Sequence, residues 1–183
     1  MNKSASTPHE ITQRGQNAFR AGNFTEAAVL FQEAQRLFSE SGDTLMAAEV
    51  ANNCSVAFLK DGNPEKAIFF ASGTEKVFAQ AGDTFRQALA FGNQAAALEA
   101  LGKYDNALAC YQRSSELLKN HPDHETRAFV LQSLSALQMR MGNQMEAMAF
   151  MDAALANKPK LSLKERFLKK LLSIPFRMLG SKD

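Results

Sequence analysis

Gly22, Gly62, Gly102 and Gly142 stand 40 residues apart. Ala27, Ala67, Ala107 and Ala147 keep the same step, as do Ala48, Ala88 and Ala128, and Asp43, Asp83 and Asp123. A period shared by several columns marks one supersecondary unit copied in tandem, and such a unit buries its apolar face only by stacking on its neighbours. The copies cover about residues 8–43, 44–83, 84–123 and 124–160. Residues 1–7 are expected to be a disordered arm, 161–180 a separate basic amphipathic helix, and 181–183 a tail.

Each copy reads as two helices. Ala51, Cys54, Ser55 and Phe58 follow the i, i+3, i+4, i+7 spacing of one helical face, and Leu131, Leu134 and Ser135 repeat it with the neighbouring Leu137. The shared glycine ends the first helix, where a left-handed turn tolerates no Cβ. The second helix then opens on cap chemistry: Asn23 with Glu26, Asn143 with Glu146, and Asn63 followed by Pro64. It runs to Gly42, to Gly82 and to the neighbourhood of Pro122, and Asp43, Asp83 and Asp123 cap the next first helix. Thr7-Pro8-His9-Glu10 is a capping box for the first copy. No run alternates with period two, so the pattern predicts an all-α fold.

Within this frame, Gly22-Asn23-Phe24-Thr25-Glu26-Ala27-Ala28 and Gly102-Lys103-Tyr104-Asp105-Asn106-Ala107-Leu108 resemble the G-x-Y-x-x-A turn of the tetratricopeptide repeat family. Phe31, Tyr111 and Met151 follow four residues after the alanine, with Ala71 the exception, and Ala34, Thr74, Ser114 and Ala154 stand three further on. The chain lacks the family's early Trp. Its mid-helix glycine survives as Gly15 and becomes Ser55, Ala95 and Ser135, and the closing proline is present as Pro159 alone. The period exceeds the usual length of about 34 residues. The resemblance implies a right-handed superhelical solenoid of four helix-turn-helix repeats.

It also implies that the first helices line a concave groove in which a partner peptide lies. Their non-packing faces carry Gln13, Gln16, Phe19 and Arg20 in unit 1, and Glu49, Asn52, Asn53, Val56, Leu59 and Lys60 in unit 2. Unit 3 contributes Leu89, Asn93, Ala96, Glu99 and Ala100, and unit 4 Phe129, Gln132, Ser133, Met139 and Arg140. Gln13, Asn53, Asn93 and Ser133 share a column. A carboxamide donates and accepts, so stacked amides can hold an extended backbone, as the asparagine ladder of some family members does. Leu89 and Asn93 stand where other members clamp a carboxylate with Lys and Arg, so that mode is not expected. Phe69, Phe70 and Phe78 are expected in the core.

The formal net charge of +2 hides an asymmetry: residues 158–183 hold eight basic and two acidic residues, a net of +6, against −4 in the remainder. Leu163, Phe167, Leu168, Leu171 and Leu172 form an apolar stripe in this segment, with Lys164, Arg166, Lys169 and Lys170 on the other side. The expected roles are a cap over the last repeat or, alternatively, a surface-lying membrane helix in which Phe176, Met178 and Leu179 insert. Pro175 is expected to end or kink it. No stretch of about 18 apolar residues offers a bilayer span, and the N-terminus has no apolar core of a secretory signal.

Catalytic signatures are absent: there is no glycine-rich phosphate loop, no H-E-x-x-H and no G-x-S-x-G. Cys54 and Cys110 are far apart and have no metal-ligand spacing, which fits a reducing cytoplasm. His121-Pro122-Asp123-His124 reads as a polar loop and cap. The sequence thus predicts a cytoplasmic scaffold or adaptor without enzymatic activity, cofactor or metal. It binds a protein or peptide, with peripheral membrane contact and self-association as further possibilities, and points away from nucleic acid.

Overall fold

The repeat turns by one device. At the end of the first helix, Gly22 takes φ +82°, and the N–H of Asn23 reaches back to the Ala18 carbonyl at 2.9 Å. This is the six-to-one bond of a Schellman motif, which only a residue without Cβ forms cheaply. The same bond recurs from Asp43 to Phe38, Asn63 to Phe58, Asp83 to Phe78, Lys103 to Leu98 and Asn143 to Gln138. The turn therefore recurs within each repeat and at the first two junctions between repeats.

The structure is a computed structural model and describes the backbone of residues 6–180 and the side chains of residues 6–172. Of the expected disordered arm, residues 1–5 lie outside the described residues, as does the 181–183 tail. Thr7 belongs to the fold, because it closes a capping box with Glu10. The chain order is α1 (Pro8–Arg20), α2 (Phe24–Glu40), α3 (Thr44–Lys60), α4 (Pro64–Ala71), α5 (Thr74–Gln80), α6 (Thr84–Ala100), α7 (Tyr104–Leu117), α8 (His124–Arg140), α9 (Gln144–Asn157) and α10 (Leu163–Gly180). No strand occurs among the described residues. The helices form two compact units, residues 1–110 and 111–183, which divide within α7.

In the first unit, α2 packs on α1 and α3, and α6 packs on α4 and α5. The core gathers Ile11, Leu30, Phe31, Phe38, Val50, Cys54 and Phe58 around alanines that let the helices approach. Gly15 shows how tight this is: a Cβ built there would lie 2.8 Å from a ring carbon of buried Phe31. In the same column, unit 2 pairs Ser55 with Ala71, so a larger residue on the first helix accompanies a smaller one on the second.

Two expectations are corrected here. Asn23 and Asn143 sit at the N-cap but make no side-chain cap bond, and the Asn143 amide donates to Gln138 Oε1 at 2.7 Å instead. Asn63, Asp43, Asp83 and Asp123 do cap through their side chains. The second helix of unit 2 is not continuous to Gly82. It breaks at Ser72 and Gly73, where Ser72 is extended and Gly73 has φ +86°. The equivalent pairs in other copies are Gln32-Glu33, Gln112-Arg113 and Asp152-Ala153, none of which holds a glycine. The carbonyl of Ala71 that the break leaves without a helical partner accepts from Thr74 Oγ1 at 2.7 Å and Gln94 Nε2 at 3.1 Å. Gln94 also donates to Glu75.

In the second unit α8 packs on α9, and α10 packs on α9. Ser135 Oγ donates to the Ala147 carbonyl at 2.7 Å, and Arg127 to Asn157 Oδ1 at 2.9 Å. In the first turn of α10, Glu165 accepts from Lys158 Nζ at 2.6 Å and from the Ser162 N–H and hydroxyl at 2.8 Å. Pro175 does not end the helix, which continues to Gly180.

Gly15→Ala is expected to lower stability by about 1–3 kcal/mol through overpacking, and by less in a Phe31→Leu background. Urea midpoints of the four proteins measure the coupling, and an equal cost in both backgrounds would refute a direct Gly15–Phe31 contact. The Lys158 and Ser162 bonds hold the Glu165 carboxyl at about 2, below the ordinary 4.5. A lowered acid pKa stabilises above the ordinary value, and that contribution is lost as the pH falls from 4.5 towards 2. Carboxyl NMR should place the Glu165 midpoint near the low value, rising towards the ordinary one in Lys158→Ala.

Candidate functional site

The first helices of the first unit bound two hollows that meet at Asn53. One, of about 290 Å³, is lined by Gln16, Phe19, Arg20, Phe31, Asn53 and Val56. The other, of about 230 Å³, is lined by Glu49, Asn52, Asn53, Phe78, Phe85, Arg86, Leu89 and Asn93. Asn53 reaches both because α3 lies between α1 and α6, and positions 13, 53 and 93 occupy one register on successive first helices. Its carboxamide makes no hydrogen bond to another described residue.

Asn52 does not belong to an exposed face. It is buried, and its Oδ1 accepts from Asn93 Nδ2 at 3.2 Å and faces the Thr74 hydroxyl at 3.4 Å. A buried amide without partners is costly, so Asn52 is placed by Thr74 at the helix break and in turn fixes Asn93. With one amide hydrogen directed at Asn52, Asn93 keeps its own Oδ1 and second N–H for the hollow.

Arg86 also lines the second hollow, 3.4 Å from both Glu49 Oε2 and Asp83 Oδ2. These groups are more than a third exposed or close to it, and such ion pairs contribute about 0.2–1 kcal/mol. A ligand group can therefore displace them. The sequence reading missed Arg86, Phe85, Phe78 and Phe31 as lining residues. Arg86 stands three residues before Leu89 and seven before Asn93, a helical spacing that could have found it. Phe31 and Phe78 come from second helices and form the hollows' floor, which first-helix patterns do not show.

Of the other expected residues, Gln13 contacts Asn17 at 3.4 Å rather than a hollow, and Lys60 and Glu99 line neither one. In the second unit, Phe129 and Met139 are exposed and Gln132 and Ser133 half-buried, while Arg140 is exposed. Ser133 Oγ donates to the Phe129 carbonyl at 3.2 Å, one turn back on its own helix.

Two apolar surfaces lie elsewhere. Phe69, expected in the core, is 74% exposed, whereas Phe78 is buried and Phe70 is half-buried against Phe58. On α10, Leu172 alone among the five stripe residues is buried. Leu163, Phe167, Leu168 and Leu171 face solvent, with Leu163 82% and Phe167 65% exposed. The side chains of Phe176, Met178 and Leu179 lie outside the described residues.

Of the two free thiols, Cys54 is buried and Cys110 half-buried. Burial pushes the Cys54 thiol up to about 12, and Sγ lies 3.5 Å from the Ala28 carbonyl. Burial, then Glu75, also raises the Cys110 thiol. His121 Nδ1 accepts the Asp123 N–H at 3.1 Å as part of the loop. Among the described residues no three His, Cys, Asp or Glu side chains cluster as metal ligands would.

Comparison with known proteins agrees with this architecture. Residues 79–160 match the family model described as tetratricopeptide repeat. No curated protein matches the chain in sequence. Among solved structures, BtubC from P. vanneervenii is similar at TM-score 0.75 and 19% identity, over 85% of this chain and 68% of that one. A STAND protein with a tetratricopeptide repeat sensor from Pyrococcus horikoshii gives TM-score 0.72 and 19% identity, over 94% of this chain and 26% of that one. This chain thus spans about a quarter of that protein's length. The nearly identical TPR-like repeats of a putative kinesin light chain from Podosopora anserina give TM-score 0.74 and 13% identity, over 97% of this chain and 90% of that one. The chain thus shares the all-α helical-repeat fold of these structures, and its residues 79–160 match the tetratricopeptide repeat family.

Proposed function

We propose that this protein is a scaffold or adaptor that binds an extended segment of a partner protein across the two hollows of its first unit. The observation that carries the reading is Asn53, an amide with no described partner, standing between them. Each hollow is smaller than the roughly 300–1,000 Å³ of a small-molecule pocket, and suits one side chain of a peptide rather than a cofactor. Asn53 and Asn93 supply donors and acceptors for the peptide backbone between those side chains. Gln16 and Arg20 at one end, and Arg86 with Glu49 at the other, supply polar contacts without a strong charge of either sign. Affinity in the micromolar region follows, since a short ligand loses conformational freedom on binding. A non-catalytic role in the cytoplasm agrees with two free thiols, neither placed for chemistry.

A second reading, recruitment to a membrane through α10, is favoured by the exposure of Leu163, Phe167 and Leu171. It concerns a different surface and is compatible with the first.

The test is selection of peptides from a random library on the full chain, followed by calorimetry of the selected peptide. Asn53→Ala with Asn93→Ala is expected to weaken binding about tenfold or more, the loss of one or two hydrogen bonds, with helicity unchanged by circular dichroism. Undiminished affinity in a folded variant would place the peptide elsewhere and refute the groove.

A further inference from the structure

α10 is seated with its apolar stripe turned the wrong way for a cap. A capping helix buries its apolar face on the last repeat and shows polar groups to water. Among the described side chains of α10, the buried one is Leu172. At 3.6 residues per turn, Leu172 lies about 180° around the helix from Leu163 and about 140° from Phe167. Leu163, Phe167 and Leu171 follow i, i+4, i+8 and form a continuous line on the outer side, each of them exposed.

The charges are sorted in the same way. Around the helix, Lys164 falls beside Leu171 on one flank of that line, and Arg166 falls on the other flank; both are exposed. Glu165, the acidic residue among them, lies towards the packed side, bonded to Lys158 and Ser162. The outward surface is therefore an apolar line between cations, with its acid neutralised internally. Among the described residues no helix is long and apolar enough to cross a membrane, so such a surface can lie on a bilayer but not pass through it.

We propose that the outer side of α10 docks on an anionic lipid surface, inserting Leu163, Phe167 and Leu171 below the headgroups while Lys164 and Arg166 meet lipid phosphates and carboxylates. This rests on the second reading above and names its partner. Charge complementarity selects the lipid: a neutral bilayer takes up apolar area but gives nothing to the cations, whereas anionic headgroups attract each nearby Lys or Arg. Because the inserting line faces away from Leu172, the helix can engage the bilayer without leaving α9.

The experiment is co-sedimentation of the full chain with vesicles of phosphatidylcholine alone or mixed with phosphatidylserine, across a salt series. Binding is expected to the mixed vesicles and to fall as the Debye length shrinks from about 10 Å at 0.1 M to about 3 Å at 1 M. Lys164→Gln with Arg166→Gln should weaken it about thirtyfold. Phe167→Ala with Leu171→Ala should weaken it about tenfold or more. All four positions are exposed, and unchanged melting temperatures exclude misfolding as the cause. Equal, salt-insensitive binding to both vesicle types would overturn the anionic partner and leave the membrane reading standing. No binding to either would overturn both. Concentration-dependent oligomers of the wild type, abolished by Phe167→Ala with Leu171→Ala, would make the line a protein interface and also overturn the proposal.

Discussion

Helix backbones come together in this protein where the residue between them carries no more than a methyl group. Ala27, Ala67, Ala107 and Ala147, near the start of each second helix, are buried completely or nearly so. Their small size brings the apolar stripes of neighbouring helices into contact, and burial of aromatic and branched side chains around them supplies the driving force. No helix pair could secure that burial alone. Gly15 is the limiting case, where even a methyl group would strike Phe31. In the first repeat the space left by Gly15 is occupied by the Phe31 ring.

The second repeat departs from its neighbours, and the departure reaches the candidate site. A glycine inside its second helix interrupts the hydrogen-bond ladder and leaves the Ala71 carbonyl to be satisfied by side chains. Thr74, one of the two donors, also faces Asn52, which holds Asn93. A buried polar chain of this kind is stable only when each member finds a partner. The irregularity that looks local to α4 and α5 thus fixes the orientation of an amide on α6. The exposure of Phe69 does not come from the break, because its counterparts Val29, Ala109 and Ala149 are exposed in unbroken helices.

The two candidate surfaces work by different physics. The hollows of the first unit offer hydrogen bonds and shape, with Arg86 and Glu49 nearly cancelling in charge. The outer line of α10 offers apolar area and positive charge with little geometric selectivity. The segregation of charge along the chain, net −4 before residue 158 and +6 from residue 158 on, is expressed in this contrast.

Much of the fold was legible in the sequence. The glycine column located the turns because a Schellman motif needs positive φ, and the aspartate column located the caps because those carboxylates accept the first-turn N–H groups. The shared register of positions 13, 53 and 93 follows from equal spacing, but Gln13 bonds along its own helix and Asn93 turns one N–H to Asn52, which spacing does not show. What the sequence by itself determined is what depends on local backbone chemistry and periodicity: the helices, their turns, the repeat and the amphipathic C-terminal segment. The tertiary structure alone decided that Asn52 is buried beside exposed-looking neighbours, that Arg86 and Phe78 line a hollow, and that α10 turns its apolar line outward. Each of these depends on which surface another helix covers, and covering is a property of residues distant in the chain, which periodicity does not encode.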